Sequence, residues 1–153
     1  MTPASVSPIS PQDSTRLKNL LRQVFDSQIP NYGDYNLVCA RRSPLSDTDR
    51  DVAGPEYYVV GYRWQPLEIM MAPFEAGEMS PAGTPVELNM TNLAHAVELA
   101  PDHYETATST GAIFYFEVPT TIDLPLLDSV RTLVQSEDYE DFTAFMTQFV
   151  TVD

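Results

Sequence analysis

The side chains of this 153-residue chain that could do chemistry gather between His95 and Glu105, where His95, Glu98, Asp102, His103 and Glu105 place two imidazoles among three carboxylates. On a helix, His95 and Glu98 at i and i+3 share a face and would offer one nitrogen and one oxygen to zinc, with His103 arriving from the next element. The spacing lacks the i, i+4 histidine pair of tight helical zinc sites, so exposed or backbone-bonded histidines are the plainer reading. Asp47-Thr48-Asp49-Arg50-Asp51 has the alternating acids of a calcium loop. It fails where such a loop is strictest, with Val52 at the turn position that needs glycine and Tyr58 at that of the bidentate glutamate. Glu68, between Leu67 and Ile69, and Glu117, between Phe116 and Val118, are the carboxylates nearest an apolar setting. Strand alternation turns each away from its apolar neighbours, toward solvent. Cys39, the only cysteine, lies in the apolar run Leu37-Val38-Cys39-Ala40 and reads as a small packed hydrophobe. No phosphate loop, nucleophile elbow or Cys/His arrangement is present, and no cofactor is implied.

Charge is distributed unevenly. From Met1 to Arg63 seven bases balance seven acids, whereas from Trp64 onward Arg131 alone faces fifteen acids, which accounts for the whole net charge of −14. Such a surface repels phosphate backbones and anionic lipid headgroups and attracts basic partners, so nucleic acid and membrane are excluded as expected partners. A host-wide compositional bias is the competing explanation. No apolar stretch reaches membrane-spanning length and no basic-then-apolar leader opens the chain, so the expectation is a cytoplasmic protein.

These side chains must be positioned by a modest set of elements. Residues 1–10 are too polar and proline-rich to order themselves and read as a lead-in, leaving 11–153 as a single domain. Ser10-Pro11 opens a helix whose apolar stripe is Leu17, Leu20, Leu21, Val24 and Phe25, ended by Pro30, with Arg16, Lys18 and Arg22 on the other face. Strands are expected over Tyr35–Ala40, Tyr57–Trp64 and Leu67–Phe74, the last two joined tightly through Gln65-Pro66, with a short strand around Val86–Leu88. Met90, Leu93, Ala94 and Val97 suggest a short helix over 92–99, with a strand over His95–Leu99 as the alternative. Tyr104–Thr108 and Ala112–Val118 form a hairpin about Gly111. Asp123 and Pro125 then open a helix through Leu126, Leu127, Val130, Leu133 and Val134, and Ser136 opens the last, with Phe142, Phe145, Met146, Phe149 and Val150 on one side. The fold class is α+β, an antiparallel sheet with an N-terminal amphipathic helix and one or two C-terminal helices packed on it.

Tyr58, Tyr62 and Trp64 share one face of their strand, and Tyr57, Val59 and Gly61 the other. An aromatic face rimmed by acids suits a basic peptide, through ring contact, cation–π attraction and steering; a buried aromatic core is the competing reading.

The stripe Leu17–Phe25, the hairpin Tyr104–Val118 and the closing Ser136-Glu137-Asp138-Tyr139-Glu140-Asp141-Phe142 together resemble the bacterial secretion-chaperone-like fold of type III secretion chaperones and YbjN-type proteins. The resemblance is one of element order without a diagnostic motif, and implies a homodimer or adaptor that holds an extended client segment. A pleckstrin-like barrel closed by a C-terminal helix is the second topology, should residues 86–108 be strands. The function expected is a non-enzymatic adaptor, chaperone-like or immunity-type module that binds a basic protein or peptide through Tyr58, Tyr62, Trp64, Glu68 and Glu117. The alternatives are a metal-dependent or small-molecule enzyme around His95, Glu98 and His103, and a nucleic-acid mimic.

Overall fold

A computed structural model describes residues 11–29, 35–45 and 55–151; the lead-in 1–10, Pro30 and the acidic run at 47–51 lie outside the described residues. The chain runs α1 (Pro11–Asp26), β1 (Asn36–Arg42), β2 (Tyr57–Trp64), β3 (Leu67–Glu75), β4 (Ser80–Pro81), β5 (Val86–Asn89), β6 (Leu93–Ala100), β7 (His103–Thr108), β8 (Ile113–Glu117), β9 (Thr121–Pro125), β10 (Val130–Val134) and α2 (Ser136–Phe149). It is an α+β fold, as the sequence indicates.

Eight strands form one antiparallel sheet in the order β4-β3-β2-β1-β8-β7-β6, with β5 beside β3. β5 and β6 are joined by the short turn at 90–92 yet stand at opposite ends of the sheet, so the sheet curls. Its concave face wraps α2, whose Phe142, Phe145, Met146 and Phe149 pack among Val60, Tyr62, Ile69, Leu88, Ala96 and Phe116. On the convex face, α1 and the β9–β10 hairpin cover β1 to β3 through Leu21, Phe25, Val59, Phe74, Ile122 and Leu133. The convex face of β6 to β8 has no covering element among the described residues.

Gly61 makes this layering possible. A Cβ there would stand 2.4 Å from Phe25 Cζ, so only glycine lets the helix lay that fully buried ring on β2.

Two expectations are corrected. The helix expected over 92–99 is instead strand from Leu93 on, because one face of the segment supplies Ala96 to the core while Val97 and Leu99 stand exposed. The helix expected from Asp123 is instead the β9–β10 hairpin. Burial alternates from Thr121 to Pro125, and Leu127 and Val130, counted toward a helical stripe, are 77% and 65% exposed. Residues 86–108 being strands meets the condition under which the sequence admits a curled sheet closed by its C-terminal helix.

Candidate functional site

The aromatic face of β2 is where alternation puts it, but it is interior. Tyr58 and Tyr62 are buried, Tyr62 contacts Phe142 and Phe145 at ring separations of 5.1 and 5.0 Å, and Trp64 stands edge-on to Phe145 at 5.4 Å. The opposite face of β2 is covered by α1. The expectation of an open aromatic face is thereby corrected, since helices of 14 and 16 residues claim both faces. The buried Tyr62 hydroxyl donates to Oδ2 of Asp141, an exposed residue of α2, at 2.6 Å.

That bond leads to an acidic rim. The first half of α2 carries Glu137, Asp138, Glu140 and Asp141, and the Tyr139 hydroxyl donates to Asp102 Oδ1 in the β6–β7 turn, which ties helix to turn. Asp102 adopts φ of 74° there, a conformation aspartate tolerates better than most residues. The field of the rim is visible in its tyrosines. Burial first, then Glu98 and Asp102, push Tyr104 upward; the bond to Asp102 first, then burial and the charges of Asp102 and Glu98, push Tyr139 upward. Lys18 of α1 reaches Asp138 at 3.1 Å, so the basic face of α1 does meet the acidic body.

The histidines are on the convex face of β6 to β8. His95 Nε2 lies 2.7 Å from Glu105 Oε2. His103 shares a 2.8 Å hydrogen bond between Nδ1 and Ser43 Oγ and faces Glu117 Oε2 at 3.5 Å, while Arg41 Nε donates to Glu117 Oε1 at 2.9 Å. The metal reading is corrected on geometry. His95 pairs across with Ala107, four residues from His103, which separates the imidazoles by about 13 Å at a strand's rise per residue. Glu98 pairs with Tyr104, a concave-face residue, and so projects from the other side of β6. Among the described residues no three metal-binding side chains converge. Glu117 is half-buried and ion-paired.

Glu68 is the larger correction. It does turn away from Leu67 and Ile69, but toward the α1 side of the sheet, where it is only 2% exposed. The Tyr35 hydroxyl donates to its Oε2 at 2.6 Å and Arg63 Nη2 to its Oε1 at 2.9 Å, with the guanidinium stacked 4.8 Å over the Tyr35 ring. Burial pushes Glu68 up, but hydrogen bonds from Tyr35, Arg63 and Glu87 outweigh it and hold the carboxylate below its ordinary range. Glu87 on β5 is pushed up by that same bond to Glu68, then by burial, so the two carboxylates titrate as a pair. Tyr35 could be paired with Glu68 only by knowing the fold, since they lie 33 residues apart. Cys39 is fully buried and its thiol is pushed up by desolvation, which leaves it inert. No protein-family profile, curated protein or solved structure matches this chain.

Proposed function

We propose that the chain is a non-enzymatic protein-binding module whose site is the outer edge of β6 together with the acidic rim beside it, and that it holds a short extended segment alternating basic and apolar residues. The supporting observation is that β6 ends the sheet, with no strand on its outer side among the described residues, next to Glu98, Asp102 and the acids of α2. An added strand hydrogen-bonds along the edge and sends alternate side chains to opposite faces. One set meets the rim, where lysine or arginine finds carboxylates. The other meets Val97, 42% exposed, and the half-exposed His95.

Register shifts after Leu93 and after Glu98 leave His95–Glu98 as the regular stretch, so the client contributes about two alternating pairs. Steering by the rim makes association salt-dependent. The adaptor, chaperone-like and immunity-type roles all use such a grip, and the histidine clusters then serve as ion-paired sheet surface.

The test is fluorescence anisotropy with a labelled Lys-Val-Lys-Val-Lys-Val peptide, against the same peptide with glutamate for lysine, at low and moderate salt. Binding of the basic peptide alone, weakening about tenfold in a Glu98→Gln/Glu140→Gln/Asp141→Asn variant, is the expected outcome. Equal binding of both peptides, or indifference to the substitutions, refutes it.

A further inference from the structure

A cavity of about 290 Å³ opens between α1 and the first half of β1, near the lower end of the roughly 300–1,000 Å³ of small-molecule sites. Its origin is topological. β1 pairs with β8 only through Arg41 and Arg42, and at Cys39 the place of the neighbouring strand is taken by the Gln135 side chain, which accepts from the Cys39 amide and donates to its carbonyl. Leu37 lies two residues earlier on the same edge, so its amide and carbonyl point the same way, beyond the reach of β8.

The inner wall is apolar, built from Leu21, Val38, Val59 and Leu133 around Cys39. The mouth carries Lys18 and Arg22, one helical turn apart on α1, with Asn19 and Asn36. Asp138 is the one acid in the lining, and it already faces Lys18 at 3.1 Å; Arg22 has no ion pair among the described residues. A chain with eight cations against 22 acids thus turns two of those cations toward a single opening with an apolar floor.

We propose that this cavity binds a small amphipathic monoanion, a short apolar chain or ring bearing one carboxylate. The body displaces water from the apolar wall while the carboxylate sits between Arg22, Lys18 and the Leu37 amide, all donors. A neutral ligand leaves the cations unmatched, and a cationic one meets them head-on. The cavity shares only Asp138 with the acidic rim and no residue with the β6 edge, so it stands whether or not that edge holds a peptide.

Isothermal titration of the full chain with octanoate, 1-octanol and octylamine tests the assignment. Saturable one-to-one octanoate binding, at least about tenfold stronger than 1-octanol and absent for octylamine, is expected, and a Lys18→Gln/Arg22→Gln variant should lose about tenfold toward octanoate alone. Because those two side chains are exposed, the variant should fold as the parent does. A Leu37→Trp variant, which fills the opening, should abolish octanoate binding at unchanged thermal midpoint. Octanoate that fails to saturate, binds no better than 1-octanol, or binds the double variant as well as the parent overturns the proposal.

Discussion

Replacing Gln135 with leucine should be among the most damaging single changes in this protein, although the residue is neither aromatic nor charged. Gln135 is 1% exposed and occupies the N-cap position of α2, yet its side chain makes no bond to the helix. It serves the sheet instead: Nε2 donates to the carbonyls of Cys39 at 3.0 Å and Pro119 at 2.9 Å, and Oε1 accepts from the Cys39 amide at 2.9 Å. Leucine of similar size leaves one amide and two carbonyls without partners beside a fully buried residue. An unsatisfied buried group costs about 1–3 kcal/mol, with amides toward the upper end because carbonyls tolerate isolation better. Three such groups, offset by about 1 kcal/mol from the added apolar burial, give a net loss of about 3 kcal/mol. Against a total of about 5–15 kcal/mol for a typical domain, the urea midpoint should fall markedly at unchanged slope. Gln135→Glu should do comparable harm at neutral pH, since it keeps an acceptor but loses both donors and faces two carbonyls with an anion. A Gln135→Leu protein within about 0.5 kcal/mol of the parent would show that these bonds do not hold β1.

Two further outcomes follow from packing and from charge. Gly61→Ala should cost about 1–3 kcal/mol in urea unfolding, because the new methyl group must displace the buried Phe25 ring, Cζ of which is 2.4 Å from its position. Glu87→Gln should flatten the pH dependence of stability above the ordinary carboxylate range. Glu87 is raised in the folded state, so its contribution is complete below the ordinary carboxylate range and is lost as pH rises through its folded pKa, whereas the glutamine donates to Glu68 at every pH. Thermal midpoints of both proteins between pH 4 and 8 check this, and parallel curves would contradict the coupling of Glu87 to Glu68. Glu68 works in the opposite sense, its stabilisation present at neutral pH and lost as pH falls through its lowered pKa.

Periodicity revealed most of the frame and little of the site. β2 is readable to the residue because six of the eight residues of Tyr57–Trp64 are β-branched or aromatic, and α2 because Phe142, Phe145, Met146 and Phe149 repeat at helical spacing. β6 and the β9–β10 hairpin mislead for a common reason: each has one buried face shallow enough that exposed Val97, Leu127 and Val130 imitate a helical stripe. Glu68 was misplaced because alternation predicts which side of a strand a residue takes, not whether that side is covered. Here the Tyr35 ring and the Arg63 guanidinium, both from other segments, lie against it and make its burial tolerable. The Gln135 bonds to Cys39, 96 residues away, leave no local trace at all.

The acidity of the later chain divides into two kinds once the fold is known. Glu68 is interior and Glu87 titrates with it; Glu75 accepts from the amides of Gly77 and Glu78 in a turn; Glu105 and Glu117 face histidines. These carboxylates answer local donors and need no partner to explain them. Glu98, Asp102, Glu137, Glu140 and Asp141 are different: tyrosine hydroxyls reach Asp102 and Asp141, supplying a hydrogen bond but no countercharge, and among the described residues only Asp138 of the α2 acids is ion-paired, to Lys18. Glu98 and Asp102 stand where the sheet ends in β6, whose outer side has no strand among the described residues, and Tyr139 ties that turn to the acid-bearing first half of α2; under the proposed function this arrangement suits a basic segment better than a diffuse ionic coat does. The Tyr139–Asp102 bond is therefore the feature whose removal should separate recognition from stability. Tyr139→Phe leaves the packing of the ring unchanged and lets the β6–β7 turn move away from α2, so it should weaken the basic peptide more than it lowers the urea midpoint.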